Sequence, residues 1–162
     1  MVSEAVGRYL TRKLDAAQIS QVVAFATELL RVEVAKRKFH LDSPRVVQDY
    51  LRMKLAGSHR EIFGVVFLDA QCHVIADEEM FIGTLTQTSV YPREVAQAAL
   101  RHNAASLLLY HNHPSDLAEP SRADELLTAT LKSSLQLIDV KVMDHIVVAA
   151  TKCVSFSERG LL

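Results

Sequence analysis

Residues 106–124 constrain this chain more than any other stretch. Ser106-Leu107-Leu108-Leu109-Tyr110 is a short, uninterrupted apolar run, the pattern of a strand buried on both faces, and it leads straight into His111-Asn112-His113-Pro114-Ser115. Side chains two apart on an extended backbone point the same way, so His111 and His113 converge at the strand's exit without special folding. Pro114 stops the ladder. A loop then reaches Pro120-Ser121, where a helical pattern starts with Leu126, Leu127, Thr130 and Leu131 on one face, which puts Asp124 in the first helical turn. Two imidazole nitrogens and one carboxylate form a three-ligand set that leaves the fourth tetrahedral position for water, the catalytic rather than the structural form of a zinc site. The same residues have plainer readings: His-x-His as a surface or hydrogen-bonded pair, and Ser121-x-x-Asp124 as a capping box.

The rest of the chain supplies a frame for that stretch. Ile19, Val22, Val23, Ala26, Leu29 and Leu30 recur at three and four, predicting an amphipathic helix, whereas Met1 to about Ala16 is less periodic. A second helix is expected from Ser43 as N-cap and Pro44 at its first position, through Val46, Val47, Tyr50 and Leu51, to a stop near Gly57. Strands are expected over Ile62–Leu68, Val74–Ala76 and Met80–Leu85, separated by Asp69-Ala70-Gln71 and by acidic residues. Pro92 opens a helix with Val95, Ala98, Ala99 and His102 on one side and Asn103 suited to a left-handed stop. After the helix at 121–135, strands are expected near 138–142, 145–150 and 154–156. Helices before, between and after strands give a mixed-sheet α/β sandwich. The expected division is an N-terminal helical segment, 1–42, and a domain over 43–162.

Charge and composition narrow the partners. With a formal net charge of −1, no overall field recruits nucleic acid or membrane. Residues 1–60 nevertheless carry 11 Lys and Arg against 6 Asp and Glu, and residues 61–162 carry 7 against 13. Arg31, Lys36, Arg37 and Lys38, close to His40 and Arg45, could form a basic arm; the wet side and C-terminal end of a helix account for them equally simply. No apolar run approaches the roughly 18 residues that a bilayer requires, and no signal peptide is visible at the start. Cys72 and Cys153 lie far apart in apolar segments, expected to be strands holding buried free thiols, which fits a cytoplasmic protein.

Taken together, the motif resembles that of the JAMM (MPN-plus) metallopeptidase superfamily, and its flanks resemble the bacterial RadC branch. The segments that carry the likeness are Phe81-Ile82-Gly83-Thr84-Leu85, Pro92-Arg93-Glu94-Val95, Ala99-Leu100-x-His102-Asn103-Ala104-Ala105, His111-Asn112-His113-Pro114-Ser115, Pro120-Ser121, Asp144-His145-Ile146-Val147-Val148 and Ser155-Phe156-Ser157-Glu158-x-Gly160-Leu161-Leu162. The likeness implies a mixed β-sheet sandwiched by helices, the cytidine-deaminase-like JAMM/MPN architecture. It also implies that His111, His113 and Asp124 ligate Zn2+ and that Ser121 helps stabilise an oxyanion. The superfamily's upstream catalytic glutamate opens a strand after a helix, which Glu61 before Ile62 fits; Glu78 and Glu79 compete from positions nearer the second strand. Two positions depart from the branch pattern. Asp116 stands where Gly is common, and Tyr91 where His often precedes Pro-Arg-Glu-Val.

Three functions follow from this reading. The first is a zinc-dependent hydrolase cleaving a peptide, isopeptide or other amide bond in a peptide or protein substrate. The second is a DNA-repair-associated or nucleic-acid-binding accessory protein, suggested by the basic N-terminal region, although longer RadC relatives carry a helix-hairpin-helix domain for which this chain has no Gly-hairpin signal. The third is a non-catalytic protein-interaction module. No Gly-x-Ser-x-Gly elbow, activated cysteine or His-x-Glu with Pro-Cys-x-x-Cys competes. His145, beside Asp144, reads either as a hydrogen-bonded core histidine or as a group touching the site. His40, His59, His73 and His102 have no partner at ligand spacing.

Overall fold

The computed structural model describes residues 15–36, 44–83, 89–115 and 117–162, with side chains in the first stretch described as far as residue 29. The chain falls into two compact units, Met1–Arg37 and Lys38–Leu162. In the first, helix α1 (Ala16–Lys36) realises the expected three-and-four periodicity. It opens on a reciprocal cap in which Gln18 N–H donates to Asp15 Oδ1 at 2.8 Å and Asp15 N–H donates to Gln18 Oε1 at 3.0 Å. The weakly periodic start, Leu85, Asp116, the expected cap Ser43, and Arg37, Lys38 and His40 of the basic stretch lie outside the described residues.

The second unit is built on a five-stranded mixed sheet in the order β2-β1-β3-β4-β5. Its elements are α2 (Pro44–Lys54), β1 (Ile62–Leu68), β2 (Val74–Ile82), α3 (Pro92–Arg101), β3 (Ser106–Asn112), α4 (Arg122–Gln136), β4 (Lys141–Val148) and β5 (Cys153–Ser155). β1 pairs antiparallel with β2 and β3, β4 antiparallel with β5, and β3 parallel with β4, the pairing that requires a crossover and obtains it from α4. Period-two alternation sorts the central side chains onto two faces. Val65, Phe67, Leu107 and Leu109 pack with Val95, Ala98 and Ala99 of α3 and Leu131 and Leu135 of α4. Val66, Leu68, Leu108 and Tyr110 pack with Val47 and Leu51 of α2. The result is the expected α/β sandwich. Asn103 takes φ +50° just past α3, and Gly57 takes φ +77° after α2, as the stop signals predicted.

Several expected boundaries shift for identifiable reasons. β2 runs unbroken through the acidic residues because each acquires a partner: Asp77 meets Tyr50, Lys54 and Tyr110, Glu78 meets Arg101 and His102, and Glu79 lies 3.8 Å from Lys54. β4 likewise does not break at 143–144. The Asp144 carboxylate accepts from the N–H groups of His145 and Ser157 at 2.7 and 2.9 Å and from Ser155 Oγ at 2.6 Å. Ile138 belongs to the turn before β4, where Asp139 takes φ +58°. The buried stripe of α4 is Thr128, Leu131 and Leu135; of the expected face Leu131 is buried and Leu127 packs against the core, whereas Leu126 and Thr130 are exposed. Cys72 is a turn residue at φ +61°, held where Asp69 accepts from Gln71 and His73 N–H groups; both cysteines are free and half-buried rather than buried. Burial pushes the Cys153 thiol up to about 11.

One close approach fixes how β1 meets β3. Gly64 lies opposite Tyr110, whose ring covers it so closely that an added Cβ would collide with the ring carbons and the hydroxyl. The Tyr110 hydroxyl donates to Asp77 Oδ1 at 2.6 Å and accepts from Lys54 Nζ at 2.6 Å, tying α2, β2 and β3 together beneath the sheet. Gly64→Ala should therefore cost about 1–3 kcal/mol of stability by overpacking. Urea denaturation of the full chain checks this; an unchanged midpoint and slope would show that the ring has room to move.

Candidate metal centre

The parallel β3–β4 pair and its crossover helix place the C-terminal end of β3 against the N-terminus of α4. Ligand sites in open α/β sheets form in such a position. His111 is the penultimate residue of β3, and the backbone N–H of His113, one residue beyond the strand, is still held by Val148 O at 2.9 Å, which keeps the two imidazoles on one side. Ser121 is the N-cap of α4 and Asp124 its third residue. His111, His113 and Asp124 come together, each offering a ligand atom within 4.8 Å of the others. Their facing atoms are His111 Nε2 and His113 Nε2 at 2.9 Å, Asp124 Oδ1 and His111 Nε2 at 3.3 Å, and Asp124 Oδ2 and His113 Nε2 at 3.6 Å.

These spacings suit a metal ion. Bonds of about 2.0–2.1 Å set the donors of a tetrahedron about 3.4 Å apart, and the three separations bracket that figure. The donor chemistry also suits it, because the outer nitrogen of each imidazole is engaged. His113 Nδ1 lies 2.6 Å from the carbonyl oxygen of Leu117, which can only accept, so Nδ1 carries a hydrogen and Nε2 is the nitrogen turned inward. His111 Nδ1 faces His145 Nε2 at 2.8 Å.

The capping box and the metal set, competing readings of one sequence, coexist in the fold. Ser121 Oγ accepts from Asp124 N–H at 3.2 Å, while Ser121 N–H and its hydroxyl both donate to Asp124 Oδ2, at 2.7 and 2.6 Å. Oδ1 remains turned to His111. Burial alone would raise Asp124, but the two imidazoles that face it and the Ser121 hydroxyl outweigh it and hold the carboxylate ionised far below its usual range. Its place in the first turn of α4 suits that charge as well. The Asp124 carboxylate raises His113, against the desolvation that lowers it, and the charge of Glu61 adds to the rise.

Glu61 enters through the register. Phe63 pairs with His111 and the Ile62 N–H donates to Asn112 Oδ1 at 2.7 Å, so the antiparallel ladder carries Glu61 beside His113 on the His111 face. Gly83 N–H donates to the Glu61 carbonyl at 2.8 Å. The two competing glutamates are committed elsewhere. Glu78 binds Arg101 at 3.0 Å and His102 at 2.7 Å, and Glu79 points toward Lys54. Tyr91 is the N-cap residue of α3, its ring 6.1 Å from that of Phe81.

The chain has counterparts among known proteins. A family model described as the RadC-like JAB domain matches residues 41–161. The chain belongs to that family. It is similar to proteins named UPF0758 protein from Leptothrix cholodnii, 55% identical over 146 residues, from Polaromonas sp., 56% over 146 residues, and from Dechloromonas aromatica, 54% over 148 residues. These matches cover 90–91% of this chain and 65% of each relative, so the chain spans about two thirds of their length. In this RadC-like JAB domain the histidines and the aspartate that the motif singled out are the ones that meet.

Two further residues of the domain border the centre. His145 touches His111 directly and is fully buried, its ring between those of Phe63 and Phe156 at 5.7 and 4.8 Å; desolvation keeps it well below its ordinary range and therefore neutral. Thr128 was not visible in the motif, although it stands four residues after Asp124, one helical turn along the same face. No helix among the described residues is long and apolar enough to cross a membrane. Since Ser121 caps α4 independently of any metal, Ser121→Ala should lower the stability of metal-free protein by about 1 kcal/mol. Urea denaturation in the presence of a chelator measures it, and no loss would mean that the bond from Asp124 N–H to the Ser121 hydroxyl adds nothing beyond the reciprocal bond from Ser121 N–H to the Asp124 carboxylate.

Proposed function

We propose that this RadC-like JAB domain is a zinc-dependent hydrolase that cleaves a peptide, isopeptide or other amide bond, its partner being a peptide or protein substrate. The observation that carries the reading is the convergence of three donors, two of them imidazoles presenting Nε2 and the third a carboxylate held ionised. His111, His113 and Asp124 would hold the ion. Zinc in such a setting supplies Lewis acidity and lowers the pKa of a bound water to about 7.

The remaining steps belong to side chains of this domain. Glu61, one step beyond the β1 register toward His113, would take a proton from the attacking water and return it to the leaving amine. The Ser121 hydroxyl donates to Asp124 Oδ2 in this structure, and the Ser121 N–H holds the same oxygen at 2.7 Å. The hydroxyl is therefore free to turn toward a developing oxyanion without releasing the carboxylate, a role worth on the order of 3 kcal/mol where comparable donors are lost. A cleft of about 220 Å³ opens beside His113, walled by Arg52, His59, Asn112, Pro114 and Ala149.

The test begins with metal content. Protein prepared without added zinc should hold about one zinc per chain by elemental analysis, and the His111→Ala/His113→Ala double variant should hold none. Zinc-loaded wild type should then hydrolyse members of a peptide and isopeptide library, while Glu61→Gln keeps its zinc and loses turnover by at least the 10²–10⁴-fold typical of a general base. Undiminished turnover in Glu61→Gln would remove that residue from the mechanism. Wild type that takes up no zinc when it is offered would overturn the reading.

A further inference from the structure

His111 has two ring nitrogens, and only an unprotonated Nε2 can bind a metal. Which nitrogen carries the hydrogen is decided behind the site, along a line of groups that are all buried. Thr128 Oγ1 lies 2.6 Å from the Asp124 carbonyl oxygen and 2.6 Å from His145 Nδ1; His145 Nε2 lies 2.8 Å from His111 Nδ1. Thr128 and His111 are each 2% exposed and His145 is 0% exposed, so the protein groups named here must satisfy one another without solvent.

Counting hydrogens along this line leaves one assignment. A carbonyl oxygen only accepts, and two oxygens 2.6 Å apart require a hydrogen between them, so the single Thr128 hydroxyl hydrogen points to the Asp124 carbonyl. Thr128 Oγ1 can then only accept from His145, which places a hydrogen on His145 Nδ1. His145 is packed between Phe63 and Phe156, which offer no counter-charge for a second hydrogen, so its Nε2 is bare and accepts. His111 therefore donates from Nδ1. Its Nε2 is left bare, facing Asp124 Oδ1 at 3.3 Å and, at 2.9 Å, His113 Nε2, which in the metal-free protein supplies the hydrogen between the two nitrogens.

We propose that Thr128 and His145 are positioning residues that set the tautomer of His111, so that the Asp124 carbonyl, acting through two side chains, turns the His111 Nε2 lone pair into the metal centre. His113 receives the same instruction directly from the Leu117 carbonyl. Asp124 thus serves the centre twice, with its carboxylate as a donor and with its backbone as the origin of the line. The proposal rests on the zinc reading above for its consequence, but the tautomer itself belongs to the metal-free protein.

The test uses the full chain with Thr128→Val, which keeps the side chain's shape and removes its hydroxyl, and Thr128→Ser, which keeps the hydroxyl. Long-range ¹H–¹⁵N correlation spectra of the imidazoles in metal-free protein report the tautomer, and chelator competition reports zinc affinity. Wild type and Thr128→Ser should show His111 protonated at Nδ1. Thr128→Val should show the Nε2-protonated form gaining population and zinc held about 10–100-fold more weakly, with Thr128→Ser restoring the affinity. His111 protonated at Nε2 in wild type overturns the proposal even where Thr128→Val fails to fold. So does wild-type affinity in a folded Thr128→Val. Wild type with the Nδ1-protonated form but no zinc binding would instead refute the hydrolase reading and leave the assignment standing.

Discussion

The parallel pairing of β3 with β4 is the constraint on which the centre depends. Parallel strands cannot be joined by a tight turn, so the chain leaves β3 at His113, crosses through α4 and returns along β4. That one crossover brings a strand's end, a helix's beginning and the interior of the next strand to a single place. His111 and His113 come from the first, Ser121 and Asp124 from the second, His145 from the third. A helix N-terminus beside a strand's C-terminal end favours a carboxylate there, and the cap geometry decides which way it faces.

The centre also shows how one residue can serve local and tertiary structure together. As a capping partner, Asp124 fixes the first turn of α4; as a donor, it faces two histidines 3.3 and 3.6 Å away. The two uses take different atoms. Oδ2 is held by Ser121, Oδ1 is turned to His111, and the backbone carbonyl accepts from Thr128. A side chain whose Oδ2 accepts from both the N–H and the hydroxyl of Ser121 has little rotamer freedom left to lose when it takes up a ligand, the usual advantage of a preorganised site.

Much of this was legible in the sequence because it follows from short-range periodicity. Alternation along an extended segment placed His111 and His113 together, the apolar run before them placed β3 at the centre of the sheet, and Pro92, Asn103, Pro44 and Gly57 marked helix ends that the fold respects. What was not legible depended on partners distant in sequence. The acidic run Asp77-Glu78-Glu79 reads as a break until Tyr50, Lys54, Arg101 and His102 are known to meet it. The inner face of α4 was read only in part, through Leu127 and Leu131; Thr128, bound to a backbone carbonyl and a histidine, belongs to it and carries no apolar signal. The role of His145 stayed open because its neighbours arrive from β1, β3 and α4.

The central claim is that a centre of two imidazoles and one carboxylate takes zinc while His145 remains outside the ligand set. X-ray absorption at the zinc edge of the zinc-loaded full chain tests it most directly. The account predicts a four-coordinate shell of nitrogen and oxygen with the scattering of two imidazoles and no sulfur. A third imidazole, a sulfur ligand or six-coordinate zinc would contradict it.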